Sequence, residues 1–203
     1  MNESKNSNYT IEYYENNWES YIQDTVNVGF CTIQDRFLSL LRPDSHILDF
    51  GCGSGRDTKY FLSKGFRVSA LDGSESFCRF ATDYTGFPVR HVLFQDFCDK
   101  NLYDGIWACA SLLHLPQADL VKTVNHIVDA LKETGYLYCS FKYGDFQGQR
   151  NGRYFTDLTE VSFEKLILKN NPLTIQELWI SEDVRPNRKT EQWLNIICRK
   201  EGK

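Results

Sequence analysis

Five short apolar runs alternate with segments of helical periodicity between residues 46 and 142, and this rhythm limits the folds available to the chain. Strands that alternate with helices form a parallel sheet with helices on both faces. Two later runs are joined by a segment too short for a helical crossover, so we expect them to be antiparallel neighbours. The chain is predicted to be an α/β protein with a doubly wound, mainly parallel seven-stranded sheet. The predicted strands are 46–50, 67–72, 89–96, 103–111, 136–142, 173–181 and 192–200.

Helices are predicted where apolar residues recur every three or four positions. At the N-terminus, Tyr14, Trp18, Tyr21 and Ile22 follow this spacing. The polar, glycine-rich stretch 144–155 is predicted to be a loop without helix or strand. We expect one domain, with a helical segment 1–43, a core 44–142 and a C-terminal part 143–203. The further predicted helices are 33–41, 56–65, 74–86, 117–135 and 162–170.

The composition narrows the possible partners and compartments. The net charge of −4 offers no general attraction to nucleic acid. No apolar run approaches the roughly 20 residues of a membrane span, and the polar N-terminus does not resemble a secretory signal. The seven cysteines share no C-x-x-C spacing, which favours reduced, buried thiols in a cytoplasmic protein and argues against a zinc site.

A glycine-rich turn follows the first strand of the core. Gly51, Gly53 and Gly55 alternate in "DFGCGSG", and Asp72 closes the next strand, 21 positions after Gly51. Such a turn lets the backbone approach a ligand, and an acid at the end of the second strand binds ribose hydroxyls. The ligand is predicted to be a nucleoside-bearing cofactor. Asp49 argues against the pyrophosphate of a nicotinamide dinucleotide and suits the ammonium group of S-adenosylmethionine.

Four segments in order resemble the motifs of the class I S-adenosylmethionine-dependent methyltransferases. They are "ILDFGCGSGRDT", "VSALDGSES", "LFQDF" and "YDGIWACASLLHLP". The general pattern is similar to bacterial small-molecule methyltransferases of the tellurite-resistance type. The resemblance implies that the protein binds S-adenosylmethionine and releases S-adenosylhomocysteine. No metal site is expected. It also implies that residues 1–43 form a lid. The residues implied for the cofactor are Asp49, Gly51, Cys52, Gly53, Gly55, Arg56, Asp72, Gly73, Ser74, Asp96, Phe97, Ala110, Tyr14 and Trp18.

Candidates for catalysis are fewer. His114 follows the fourth strand, where the methyl donor is expected, and is a candidate general base. Tyr14 is a second candidate, because its hydroxyl or ring can approach the sulfonium. Methyl transfer needs no base when the acceptor is already nucleophilic, so alignment and desolvation alone are an open alternative. For the tyrosines and tryptophan of the N-terminal helix, packing against the sheet is the other interpretation.

The acceptor is expected to contact the segment from Lys142 to Arg188. Its arginines and aromatic rings suit a small acceptor that is anionic or planar, and a rim of ordinary ion pairs is the alternative. An RNA-modifying methyltransferase, a non-catalytic cofactor-binding regulator and a nucleotide-dependent oxidoreductase stay open as other functions, and the protein is expected to be a monomer or homodimer. The predicted acceptor-binding residues are Lys142, Arg150, Arg153, Tyr154, Arg185 and Arg188.

Overall fold

A computed structural model describes residues 3–185, 188 and 190–202 of the chain. Six α-helices occur in this part: α1 (Glu3–Thr25), α2 (Cys31–Leu38), α3 (Arg56–Ser63), α4 (Glu75–Thr85), α5 (Gln117–Ala130) and α6 (Glu160–Leu166). The nine strands are β1 (His46–Phe50), β2 (Arg67–Asp72), β3 (Val89–His91), β4 (Tyr103–Ala108), β5 (Leu131–Lys142), β6 (Gln147–Arg150), β7 (Arg153–Thr156), β8 (Leu173–Glu182) and β9 (Gln192–Lys200).

The main sheet has seven strands in the order β3-β2-β1-β4-β5-β9-β8. Strands β1 to β5 are parallel, whereas β9 pairs antiparallel with both β5 and β8. The predicted doubly wound sheet and its antiparallel last pair are therefore confirmed. The strand order reverses between β1 and β4, and the carboxyl ends of the strands beside such a reversal are where open α/β sheets bind ligands.

Both faces of the sheet are buried, as expected for parallel strands covered by helices. Along β1, Ile47 and Leu48 are both inaccessible to solvent but belong to opposite apolar clusters. Along β4, Ile106 and Trp107 divide in the same way. The Trp107 ring stacks on Tyr138 with 3.9 Å between ring centroids. This packing fixes the sheet as a rigid support for the loops at its carboxyl edge.

Several elements end earlier than their apolar patterns predict. Strands predicted at 89–96 and 103–111 end at His91 and Ala108 because short 3₁₀ turns, Phe94–Asp96 and Leu112–His114, follow them closely. The helix predicted at 117–135 ends at Ala130, since Leu131 pairs with Tyr103 in the sheet. The helix predicted at 162–170 ends at Leu166 and continues as a separate 3₁₀ turn.

The stretch 144–155 differs most from its prediction as a loop. Residues Gln147–Arg150 and Arg153–Thr156 form an antiparallel hairpin, which stands apart from the main sheet. Its two-residue turn consists of Asn151 and Gly152, with φ values of 52° and 76°. Asn-Gly favours this turn because both central positions need a positive φ. The loop prediction was wrong because the flanking residues are polar and do not show the apolar alternation of a half-buried strand.

The cysteines agree only in part with the expectation of buried thiols. All seven are free; Cys52, Cys78, Cys139 and Cys198 are buried, but Cys31 and Cys98 are exposed. Within the described residues, no group of histidine, cysteine, aspartate or glutamate side chains is arranged to hold a metal ion. In the same part of the chain, none of the helices has the length and apolar character needed to cross a membrane.

Gly51 is the position where a side chain should harm the fold most directly. Its φ is 82°, and a Cβ there would lie 2.5 Å from the Cβ of Ser111. Gly51→Ala adds backbone strain of about 1–2 kcal/mol and an overpacking penalty of about 1–3 kcal/mol. Gly65→Ala is the matched control, because Gly65 has a φ of 84° and nothing within 4 Å of its Cβ position. Chemical denaturation should show a larger loss of unfolding free energy for Gly51→Ala; equal losses would contradict the close packing at Gly51.

Candidate functional site

A cavity of about 530 Å³ opens at the carboxyl ends of the parallel strands. Its floor is the turn between β1 and α3 together with the ends of β2, β4 and β5. Its roof consists of residues 10–21 of α1 and the hairpin β6–β7, and the described residues between β8 and β9 (183–185, 188, 190 and 191) close one side. The cavity therefore lies at the position that the strand order predicts for a ligand.

The glycine turn forms the part of the floor nearest to β2. Gly51, Gly53 and Gly55 all have positive φ, of 82°, 51° and 74°. Gly51 and Gly53 line the cavity, whereas Gly55 packs against α4, where a Cβ would lie 2.9 Å from Thr85. A Cβ on Gly53 would point into the space beside the Tyr21 ring, 3.7 Å away. The turn thus leaves room for a ligand against its backbone, as the sequence predicts.

Asp72 ties the glycine turn to the start of α4. One carboxylate oxygen accepts a hydrogen bond from the Gly53 N–H and the other accepts from the Ser74 N–H, both at 2.9 Å. Ser74 caps α4 by accepting from the Phe77 N–H, as predicted for a helix start. Asp72 lines the cavity, but Ser74 and Gly73 lie behind it, with Gly73 packed against Ile11 of α1. Each Asp72 oxygen keeps a lone pair for ribose hydroxyls.

Asp49 lies beneath the glycine turn rather than on the cavity wall. Its side chain is 2 % exposed, and one oxygen accepts a hydrogen bond from the Thr58 hydroxyl at 2.6 Å. Burial and the neighbouring Asp57 carboxylate raise the pKa of Asp49 to about 8. At neutral pH, Asp49 is therefore largely uncharged in this structure. Its predicted contact with an ammonium group stays a prediction.

Arg56 is held by a carboxylate that the sequence analysis did not single out. Its Nε and Nη2 donate to the two oxygens of Asp57 at 2.7 and 2.9 Å. Asp57 also accepts from the Gln34 side chain at 2.7 Å and from the Trp107 indole at 2.8 Å. The guanidinium lies 4.5 Å from the centre of the Phe30 ring. Arg56 lines the cavity, but one full edge of its guanidinium is already occupied.

In the segment after β3, the residue that lines the cavity is not one of the two predicted to bind the cofactor. Asp96 is exposed and does not line the cavity, and Phe97 is buried against Phe50 with ring centroids 5.1 Å apart. Phe94 lines the cavity instead, stacked on Phe50 at 4.4 Å. The structure therefore does not bring Asp96 and Phe97 to the cavity, because the strand ends at His91 and the following turn rotates their side chains.

The turn after β4 is strained where it meets the cavity. Ala110 has a φ of 51°, a conformation that a residue with a Cβ rarely adopts. Its N–H donates to the Ser140 hydroxyl at 2.9 Å, and the Ser111 hydroxyl donates to the Phe50 carbonyl at 2.7 Å. These bonds hold the turn against the glycine loop. Ala110 and Cys52 both line the cavity, and their contact with the cofactor stays a prediction.

His114 and Tyr14 form one hydrogen-bonded unit at the roof. The Nδ1 of His114 lies 2.8 Å from the Tyr154 carbonyl, so it must carry the proton and donate it. The Nε2 therefore accepts from the Tyr14 hydroxyl at 2.8 Å. Burial lowers the pKa of His114 to about 3 and raises that of Tyr14. At neutral pH both groups are uncharged, and the single basic nitrogen of His114 is occupied.

Trp18 and Tyr154, which are predicted to contact the cofactor and the acceptor, do not face the cavity. Trp18 packs against Phe80 on the outer side of α4, with 6.3 Å between ring centroids, and does not line the cavity. Tyr154 is buried on the opposite face of β7 from the cavity, because side chains alternate along a strand. Its neighbours Arg153 and Phe155 face the cavity instead. From α1, Tyr21 joins Tyr14 at the roof, and their rings are 5.3 Å apart.

The remaining predicted acceptor residues, Lys142, Arg150, Arg153, Arg185 and Arg188, all line the cavity. Lys142 pairs with Glu191 and lies 3.5 Å from Asp183, and its ammonium is 4.1 Å from the centre of the Trp193 ring. Burial opposes the ionisation of Asp183, but hydrogen bonds from Arg185 keep the pKa of its carboxyl below the usual range. The sequence analysis missed Trp193; it lies on β9 next to Lys142 of β5, a cross-strand pairing that a single strand does not reveal.

The raised pKa of Asp49 predicts a distinctive pH dependence of stability. Because an unfolded aspartate ionises near pH 4 and the folded one near pH 8, unfolding releases a proton between these values. The stability that the neutral carboxyl contributes is complete below pH 4 and is lost as the pH rises through 8, by up to about 1.4 kcal/mol per pH unit. Asp49→Asn should flatten this slope in denaturation curves from pH 5 to 8. Parallel slopes in the variant and the parent would show that Asp49 is ionised in the folded protein.

Comparison with known proteins agrees with this geometry. The sequence model of a family described as a methyltransferase domain matches residues 47–135. No curated protein sequence matches the chain.

Solved structures share the fold over almost the whole chain. The 1,6-didemethyltoxoflavin-N1-methyltransferase of Burkholderia thailandensis, solved with 1,6-didemethyltoxoflavin and S-adenosylhomocysteine, superposes with a TM-score of 0.82, covers 99% of this chain and 91% of its own, and is 18% identical. The N-methyltransferase NodS of Bradyrhizobium japonicum, solved with S-adenosylhomocysteine, has a TM-score of 0.70, 19% identity and coverages of 96% and 98%. The glycine turn and Asp72 lie within the segment that the methyltransferase-domain model matches, and the solved structures share the fold of the chain.

Proposed function

We propose that the protein transfers a methyl group from S-adenosylmethionine to a small-molecule acceptor bound in the cavity beneath the N-terminal helix. The observation that carries this proposal is the cavity itself. It has about 530 Å³, within the range of sites that enclose small ligands, and it joins the glycine turn to a roofed chamber lined by aromatic and charged residues. The tellurite-resistance-type subfamily, suggested by the motifs, stays a prediction.

Enclosure favours a small acceptor over a nucleic acid. The N-terminal helix is fastened over the cavity by hydrogen bonds from the Tyr154 N–H to the Thr10 hydroxyl at 3.0 Å and from the Ser76 hydroxyl to Glu15 at 2.6 Å. A polymer would need an open, basic face, whereas the chain carries a net charge of −4. The similar structure from Burkholderia thailandensis holds its small-molecule acceptor together with S-adenosylhomocysteine, which supports the same arrangement here.

The floor of the cavity suits the cofactor. Gly53 leaves its backbone open to the methionine part, because a Cβ there would point into the space beside the Tyr21 ring. Asp72 is placed to accept hydrogen bonds from ribose, and Phe94 and Phe77 offer apolar surface for adenine. When bound, S-adenosylmethionine supplies a methyl group made electrophilic by the adjacent sulfonium. The role of the protein is to hold this group against the acceptor and to exclude water.

The structure favours a reaction without a histidine base. The Nε2 of His114 accepts a hydrogen bond from the Tyr14 hydroxyl, and its Nδ1–H donates to the Tyr154 carbonyl. His114 therefore orients the Tyr14 hydroxyl, which also accepts from Arg153 Nη1 at 3.3 Å. We assign to His114 and Tyr14 the positioning of the roof, while the acceptor brings its own nucleophilic atom.

A labelling experiment tests the proposed function. The protein is incubated with methyl-labelled S-adenosylmethionine and, separately, with a small-metabolite extract and with total RNA of the producing organism. Label should appear in a small molecule, and Asp72→Ala, which loses the ribose contact, should transfer at least tenfold less. Label found in RNA, or no transfer by a protein that binds S-adenosylhomocysteine, would refute the proposal.

The positioning role of His114 predicts that its substitution lowers kcat/KM without changing the shape of the pH profile. With the acceptor found by labelling, His114→Asn should lower kcat/KM by about tenfold, the scale of one lost hydrogen bond. The shape of the profile between pH 6 and 8 should not change, because the pKa of His114 lies at about 3. Tyr14→Phe, which removes the other half of the same hydrogen bond, should show a similar loss. An inflection near pH 6.5 in the parent that disappears in His114→Asn would instead identify a general base.

A further inference from the structure

Three of the arginines that line the cavity, Arg150, Arg153 and Arg185, differ in whether a carboxylate neutralises their charge. Arg150 donates two hydrogen bonds to Asp157, both at 3.0 Å. Arg185 donates through Nε and Nη2 to the two oxygens of Asp183, at 2.9 and 2.6 Å. These guanidinium groups already have a counter-charge within the chain. They therefore offer a ligand little net positive charge.

Arg153 has no such partner. No carboxylate of the described residues lies within 4 Å of its guanidinium, and its polar contact is the donation from Nη1 to the Tyr14 hydroxyl at 3.3 Å. Its Nε is buried and has no hydrogen-bond acceptor among those residues. Aromatic rings enclose the group: its central carbon lies 4.8 Å from the ring centre of Tyr13 and 5.2 Å from that of Phe155.

The edge of the Arg153 guanidinium formed by Nε and Nη2 has no carboxylate partner, and other arginines of the cavity bind carboxylates through this same edge. Arg56 and Arg185 both use Nε and Nη2 to form paired bonds with an aspartate. This fork matches a planar oxyanion in geometry and charge. A buried donor without an acceptor is unfavourable, and the attraction between the guanidinium and the aromatic rings does not supply that acceptor. An anionic ligand would supply both the missing acceptor and a counter-charge.

We propose that Arg153 binds an oxyanion of the methyl acceptor, so that the enzyme selects small acceptors that carry a carboxylate or phosphate group. This inference rests on the proposed function and narrows its substrate class. The position of Arg153 favours the acceptor over the cofactor. It contacts Tyr14, whose ring packs against Tyr21, and it is Tyr21 that lies beside the glycine turn. Two aromatic rings thus separate Arg153 from Gly53.

Binding of simple probes to the protein loaded with S-adenosylhomocysteine tests the inference without any methyl transfer. Benzoate, phenyl phosphate and the uncharged benzamide have the same ring and differ in the group presented to Arg153. In NMR titrations, at least one anion should bind tenfold more tightly than benzamide. The preferred anion distinguishes a carboxylate acceptor from a phosphate acceptor.

Variants of Arg153 show whether this residue is responsible. Arg153→Gln should abolish the preference for the anion, and Arg153→Lys, which keeps the charge, should retain part of it. The affinity for S-adenosylhomocysteine should be unchanged in Arg153→Gln, because two aromatic rings separate Arg153 from the glycine turn. The thermal midpoint should fall only slightly, because the variant loses one hydrogen bond, from Nη1 to the Tyr14 hydroxyl, and no ion pair. The matched control is the double variant Arg150→Gln with Asp157→Asn, which removes a neutral ion pair between the hairpin and the residue that follows it and should keep the preference.

Three results would overturn the inference. They are a preference for the anion that survives Arg153→Gln, benzamide binding as tightly as both anions, and a tenfold loss of affinity for S-adenosylhomocysteine in Arg153→Gln. The last result would assign Arg153 to the cofactor. The test is separable from that of the proposed function. If labelling identifies an uncharged acceptor, the inference fails and the function stands. If labelling finds no small-molecule product but Arg153 governs anion binding, the function fails and the anion site stands.

Discussion

The buried carboxylate of Asp57 is the interaction on which the site depends most. It accepts four hydrogen bonds, two from Arg56, one from Gln34 of α2 and one from the Trp107 indole of β4. It thereby joins α2, the start of α3 and the centre of the sheet. Loss of this carboxylate would leave several buried donors without an acceptor, which is among the costliest changes in a protein interior. The glycine turn directly precedes α3, so its position follows from this anchor.

Much of the fold could be predicted from the sequence because the signals are local and repeated. The period of the apolar residues separates strands from helices, and the short link between the last two strands fixes their antiparallel pairing. The glycine turn and Asp72 could also be predicted, since positive φ at Gly51 and Gly53 and a carboxylate at a strand end are properties of single residues in a known context. At these positions, one residue type satisfies a backbone requirement that few others meet.

The rest depends on contacts between residues distant in sequence. The positions of Asp96 and Phe97 depend on a 3₁₀ turn that periodicity does not detect, and Trp18 faces Phe80 because of how α1 crosses α4. The Asn151-Gly152 turn was visible in the sequence, but its polar flanks concealed the hairpin. With the hairpin assigned, alternation would have placed Arg153 and Phe155 on one face and Tyr154 on the other. Nothing in the sequence pairs Arg150 with Asp157 or leaves Arg153 without a carboxylate.

The roof of the cavity contributes no strand to the main sheet. Its two parts, residues 10–21 and the hairpin β6–β7, are separated by more than a hundred residues in the chain and meet each other through Tyr13, Tyr14 and Arg153. The core that folds around the sheet and the surface proposed to meet the acceptor are thus largely different sets of residues, and distant sites usually affect stability independently. Under the proposed function, substitutions in the roof alter acceptor choice while the floor proposed for the cofactor is preserved. This separation offers a physical route by which one scaffold diversifies into enzymes for many different acceptors.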